Sequence, residues 1–192
     1  MGCHLMDGPI KALGLFDPYS VEASISRLPD VRSYTPADVS SSSVPASSIV
    51  TYRFNPSKLN DSKVKFTWMD GGLRPSQPDQ IKEDIGVGGI LIYGEKGIIS
   101  CNDYGTRAKL YIDGEVVETG QFDGIPSNSF NHYTSWVEAM VDGYGSDKHK
   151  NLNSGFDVAG PISEVVLLGN VAVRSGLLKR SPRSNVFIGR KR

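Results

Sequence analysis

The residue pattern predicts an α+β domain: an open, largely antiparallel sheet with helices packed on one face. Three observations predict it. Short β-branched and aromatic runs crowd the middle of the chain. Among them, 21 Gly and 11 Pro supply frequent turn signals. Helical periodicity is confined to the two ends.

Taken in order, Leu5, Met6, Pro9, Ile10 and Leu13 recur at helical spacing and predict a helix over 5–15. Gly8 and Pro9 suit its first turn better than its middle. The apolar pattern begins with no polar lead-in, so Leu5, Met6 and Ile10 are expected to form an exposed patch facing a partner domain. Val21, Ala23 and Ile25 alternate with polar neighbours, the period of a half-buried strand. A polar stretch over 31–48, with six Ser among residues 40–48, reads as a surface loop. Ile49–Phe54 and Val64–Met69 predict an antiparallel pair. Ile90–Tyr93 and Ile98–Cys101 flank Gly94-Glu95-Lys96-Gly97, and Leu110–Ile112 and Glu115–Val117 flank Asp113-Gly114. Both are hairpin patterns, the second being the stronger signal because Asp-Gly suits a two-residue turn.

Two helices close the body. Ser129 is placed to cap a helix carrying Phe130, Tyr133, Val137, Met140 and Val141, with Gly143 just past its end. A second spans about 160–175, with Pro161 in its first turn and Gly176 beyond its last. Ile162, Val165, Val166, Leu167, Leu168, Val171 and Val173 leave it little polar face, which predicts burial on most sides. The domain is therefore expected to cover 1–176, followed by a basic tail over 177–192.

At 192 residues the chain fits one domain, or one and a fragment, at about 100–200 residues per domain. It carries 21 basic and 21 acidic residues and no net charge, so it has no global field with which to collect nucleic acid. Six of the basic residues lie in the last sixteen positions, a weak signal for an anionic partner. The apolar run from Val165 to Val173 is broken by Gly169 and Asn170 and falls short of the ~20 residues a bilayer span requires. No membrane partner is expected. Met1–Asp7 lacks the basic and apolar regions of a signal peptide, so a cytoplasmic location is the default, with export of a longer parent left open. Two cysteines exclude a disulfide framework and a four-cysteine zinc site.

Spacing alone reveals no complete catalytic constellation. Gly86-Val87-Gly88-Gly89 precedes a strand, whereas a phosphate-cradling loop follows a strand and opens a helix. It reads as a turn. His149 lies in a charged, solvated segment and receives no role. His132 and Trp136 lie one helical turn apart and share a face, for packing against the sheet or, alternatively, for substrate contact. Trp68, Asp70 and Arg74 fall within a Gly/Pro-stiffened segment, Trp68–Pro75. They could together stack on and hydrogen-bond a polar ring, or equally form an ordinary turn with a surface ion pair.

Four segments taken together resemble one family: Gly2-Cys3-His4-Leu5-Met6-Asp7, Trp68–Pro75, Tyr93-Gly94-Glu95-Lys96-Gly97, and Phe156–Pro161 with Glu164–Ala172. They are similar, in order and over about 1–176, to the C-terminal domain of bacterial Gfo/Idh/MocA-type oxidoreductases, the glucose–fructose oxidoreductase and inositol dehydrogenase relatives. The resemblance implies a substrate-binding and oligomerising domain whose partner is a Rossmann domain holding NAD or NADP. Gly2 and His4 match the Gly and His of the family's D-x-G-x-H motif. The motif's Asp would precede Met1, and the Rossmann domain with its E-K-P motif is not in this sequence. His4 is thereby implied as the catalytic residue, a base for a hydroxyl proton while hydride leaves for the nicotinamide. Trp68, Asp70, Arg74 and His132 are the candidate substrate contacts.

The expectation is a domain truncated on its N-terminal side, binding a sugar or cyclitol and forming homo-oligomers through its sheet. It would hold no cofactor and have no dehydrogenase activity by itself. Two alternatives stand beside it. One is an NAD-dependent glycoside hydrolase of the same family, which would release a leaving group without net nicotinamide turnover. The other is a non-catalytic sugar-binding or assembly module. The tail departs from the family pattern, in which a short final strand is expected.

Overall fold

The structure, a computed structural model, describes residues 1–26, 44–105, 107–117 and 131–178, with the backbone of 184–186. The domain is α+β, and every strand pairing among the described residues is antiparallel. Among the described residues the strands form two four-stranded sheets, where a single sheet was expected. Strand pairing between distant segments is a tertiary choice that local propensity does not report.

The first sheet has the order β3-β2-β1-β8, from β1 (Pro18–Ile25), β2 (Ser48–Phe54), β3 (Val64–Met69) and β8 (Ser184–Val186). Register places Val21 opposite Tyr52 and Tyr52 opposite Phe66, with Ala23, Val50 and Trp68 forming the next row. Directly opposed residues share a face, and these two rows meet the helices. Helix α1 (Gly2–Leu13) and helix α4 (Phe156–Leu178) pack together, and α4 lies on β1 and β2. The core joins Met6 and Ile10 of α1, Val21, Val50, Tyr52 and Phe54 of the sheet, and Ile162, Val165 and Ala172 of α4. Met6 and Ile10 are therefore buried, with Ile10 at 0% exposure. The exposed patch expected at Leu5, Met6 and Ile10 is not there, because Met6 and Ile10 lie in the core shared with α4 and Leu5 is half-buried.

The predicted helices shift at their ends. Helix α1 starts at Gly2 and stops at Gly14, whose left-handed backbone caps it. Lys11 and Asp7 pair across one turn at 3.0 Å. Helix α4 begins a turn before Pro161, with the Gly155 carbonyl accepting from the Val158 and Ala159 amides. It continues through 176 to Leu178. One glycine costs a helix only ~1 kcal/mol and does not end it alone. Leu167 and Val171 are more than half exposed, so α4 buries one face rather than most sides. Over Phe156–Ser175 it is long and apolar enough to cross a membrane, longer than the broken run suggested. Its buried face here belongs to the core.

Helix α2 (His132–Asp142) is capped by Asn131, whose side chain accepts from the amides of Tyr133 and Thr134. Ser129 and Phe130, the expected cap and first apolar contact, lie outside the described residues. The segment read as a solvated loop contains a one-turn helix, α3 (Asp147–Lys150), capped by Ser146. The tail likewise contains structure. Its first residues belong to α4, and Ser184–Val186 pairs with Val21–Ala23 as the short final strand.

The second sheet, β4-β5-β6-β7, consists of β4 (Ile90–Tyr93), β5 (Ile98–Cys101), β6 (Lys109–Ile112) and β7 (Glu115–Val117). Both predicted hairpins are present. The left-handed backbones of Asp113 and Gly114 make the tighter one. Ile98 and Tyr111 on one face pack against Ile81 to form a small second core. Register aligns Ile92, Ile99, Leu110 and Val117 on the other face. Ile99 and Val117 of this row are exposed.

Candidate functional site

His4 lies in the first turn of α1, a helix with no side-chain cap at Met1. Its imidazole is exposed and meets the Tyr104 ring at a centroid distance of 5.8 Å and a tilt of 55°. No binding or catalytic motif in the sequence points to Tyr104. It follows β5 on a turn closed by Gly105 N–H donating to the Asn102 carbonyl at 2.9 Å. The Asn102 side-chain oxygen accepts from the Tyr104 amide at 3.2 Å, and Gly105 takes a left-handed backbone. An Asn-x-x-Gly turn with an aromatic residue inside it was the available signal.

Trp68 and Asp70 are brought together as expected, but toward the protein. Trp68 is half-buried on the core-facing side of β3, and its indole N–H donates to Asp70 Oδ2 at 3.0 Å. Asp70 also accepts from the Ser48 amide at 2.6 Å and the Ser48 hydroxyl at 2.9 Å. Its own amide donates to the Ser48 carbonyl. The three bonds between Asp70 and Ser48 join the end of β3 to the start of β2. The turn beyond tolerates only glycine at position 71, where a β carbon would overlap the backbone of Ala46 and Ser47 and the backbone is left-handed. Arg74 forms no ion pair with Asp70 among the described contacts. It is exposed and donates to the Gly86 carbonyl at 2.9 Å.

His132 is exposed at the start of α2. The expected packing of His132 and Trp136 on the sheet does not occur. Helix α2 packs chiefly on α3, helped by Lys148, which lies 3.5 Å from Asp142 and 3.7 Å from Glu138. Trp136 remains 58% exposed, and Tyr133, Met140 and Val141 are exposed with it. The apolar spacing of α2 was legible, but its burial was not.

A depression of about 180 Å³ on the second sheet contains none of the predicted residues. On its wall Glu83 accepts from Lys109 Nζ at 2.7 and 2.8 Å and from the Tyr111 hydroxyl. The Lys109 hydrogen bonds, with that of Tyr111, hold the Glu83 carboxyl below the usual carboxylate range. Burial and the neighbouring Glu83 push the Tyr111 phenol up to about 12. Burial likewise raises the Cys101 thiol, which makes it a poor nucleophile. No group of three or more His, Cys, Asp or Glu suited to a metal ion occurs among the described residues.

The arrangement presents a solvent-facing imidazole beside a solvent-facing phenol, with Trp68 and Asp70 engaged elsewhere as a structural tie. No family model matches the chain, and no curated protein matches it in sequence.

Proposed function

We propose that this chain is the saccharide-binding domain of an NAD(P)-dependent oxidoreductase acting on a sugar or cyclitol hydroxyl. The observation that carries the reading is His4, the position matching the family motif, standing exposed beside an aromatic ring. A solvent-exposed imidazole is able to take a hydroxyl proton. An adjacent ring suits the C–H face of a pyranose or cyclitol.

The glycine-rich segment does not fit the dinucleotide. Gly86–Gly89 leads into β4, so its amides do not open a helix toward a pyrophosphate. The nicotinamide would be held by another domain. This chain's own contribution is to orient the ring and receive the proton at His4.

Homo-oligomerisation belongs to the same reading and is supported by the exposed row on the second sheet. A non-catalytic assembly module is the second reading, favoured by the open apolar face of α2 around Trp136 and Met140.

Saturation-transfer NMR with glucose and myo-inositol tests the proposal. Saturable binding of either, weakened by His4→Ala, is expected. Binding of neither would overturn the saccharide reading and favour the assembly module.

A further inference from the structure

We infer that Tyr104 forms the stacking wall of the saccharide site, with His4 at its edge; this rests on the saccharide reading above. Three features lead there. Tyr104 is 73% exposed, so its ring is not needed by the core. The backbone that carries it is fixed, because both amides of the turn, Tyr104 and Gly105, donate to Asn102. Finally, its ring approaches His4 at 5.8 Å and 55°, which leaves the two rings as adjoining sides of a corner rather than as a closed stack.

A corner of this kind recognises a ring that is apolar on its face and hydroxylated at its rim. The C–H face of a pyranose or cyclitol lies on the phenol ring, and a rim hydroxyl reaches the imidazole. The contact also joins the turn after β5 to the first turn of α1, so the second sheet contributes directly to a site otherwise made by the first helix. Tyr104 is a substrate-contacting residue under this assignment, and its ring matters more than its hydroxyl.

The test is binding of glucose and myo-inositol, by saturation-transfer NMR on the full chain, to the wild type and to Tyr104→Ala, Tyr104→Phe and His4→Ala. The turn bonds use backbone and Asn102, so neither substitution at 104 removes them. We expect Tyr104→Ala to weaken binding about tenfold and Tyr104→Phe by less than about twofold. Binding that His4→Ala weakens and Tyr104→Ala leaves unchanged would overturn the role of Tyr104 while leaving the saccharide reading intact. Equal losses in Tyr104→Phe and Tyr104→Ala would overturn stacking in favour of a hydrogen bond from the hydroxyl. Absence of binding by the wild type would overturn the reading and this inference together.

Discussion

The Tyr52 hydroxyl occupies the space that a β carbon on residue 169 would fill, so helix α4 crosses strand β2 at a point where only glycine fits. Burial pushes this phenol up to about 12, opposed in part by a backbone hydrogen bond from Gly169. Gly169→Ala is therefore expected to destabilise the fold by about 1–3 kcal/mol, the usual range for overpacking. Denaturant unfolding measures it. Tyr52→Phe in the same chain removes the overlapping oxygen, so the double variant should lose less than the two single losses added together.

Asp70 ties β3 to β2 through Ser48 and accepts from the Trp68 indole on its own side of the tie. Asp70→Ala should cost roughly 1.5–3 kcal/mol, as expected for hydrogen bonds to a charged group. Asp70→Ala in a Ser48→Ala background should cost less than in the wild type. Additive losses would mean that the tie contributes little.

His4 is exposed, so His4→Ala should change stability by no more than about 0.5 kcal/mol, as is usual for surface positions. A larger loss in denaturant titration would make the histidine structural and weaken its assignment to proton transfer.

The two raised phenols predict late ionisation. Tyr52 and Tyr111 should titrate near 12 in an ultraviolet difference titration. A phenol favoured in its neutral form adds stability that is fully present below its unfolded pKa of ~10 and is lost as pH rises toward the folded value. Unfolding should therefore accompany their ionisation. Glu83 has the opposite sign. Its lowered pKa contributes stability above the unfolded value of ~4.3, lost as pH falls through the folded one. Glu83→Gln should flatten that acid limb and leave the alkaline behaviour of Tyr52 unchanged.

Self-association should depend on the second sheet rather than on α1. Ile99→Lys, in the exposed row, should shift sedimentation toward monomer, whereas Leu5→Lys should not. A chain already monomeric at high concentration would remove the oligomer from the proposal.

Local chemistry made the hairpins legible, because Asp113-Gly114 and Gly94–Gly97 specify their turns without reference to anything distant. The division into two sheets was not legible. It depends on Ile81, from an irregular segment, seeding its own small core beneath Ile98 and Tyr111. Helix periodicity located α1, α2 and α4 but not their partners, so Met6 and Ile10 were expected outside and Trp136 against the sheet. At the site, the residue types around Trp68 and Asp70 suggested ligand binding. In the fold the carboxylate accepts from Ser48, on the preceding strand, a partner the local sequence does not reveal. Tyr104 was missed because its neighbour His4 lies far away in sequence.

The pairing of Val21 with Val186 makes the first sheet a late structure in the life of the chain. The strands of the second sheet join near neighbours in sequence, so each hairpin closes a short loop and can form as it emerges. Strand β1 emerges early, and its β8 edge must wait through most of synthesis for a partner. During that interval the edge offers unpaired amides and carbonyls to other nascent chains. Slow translation should prolong that exposure, and a chain ending before 184 should retain it permanently.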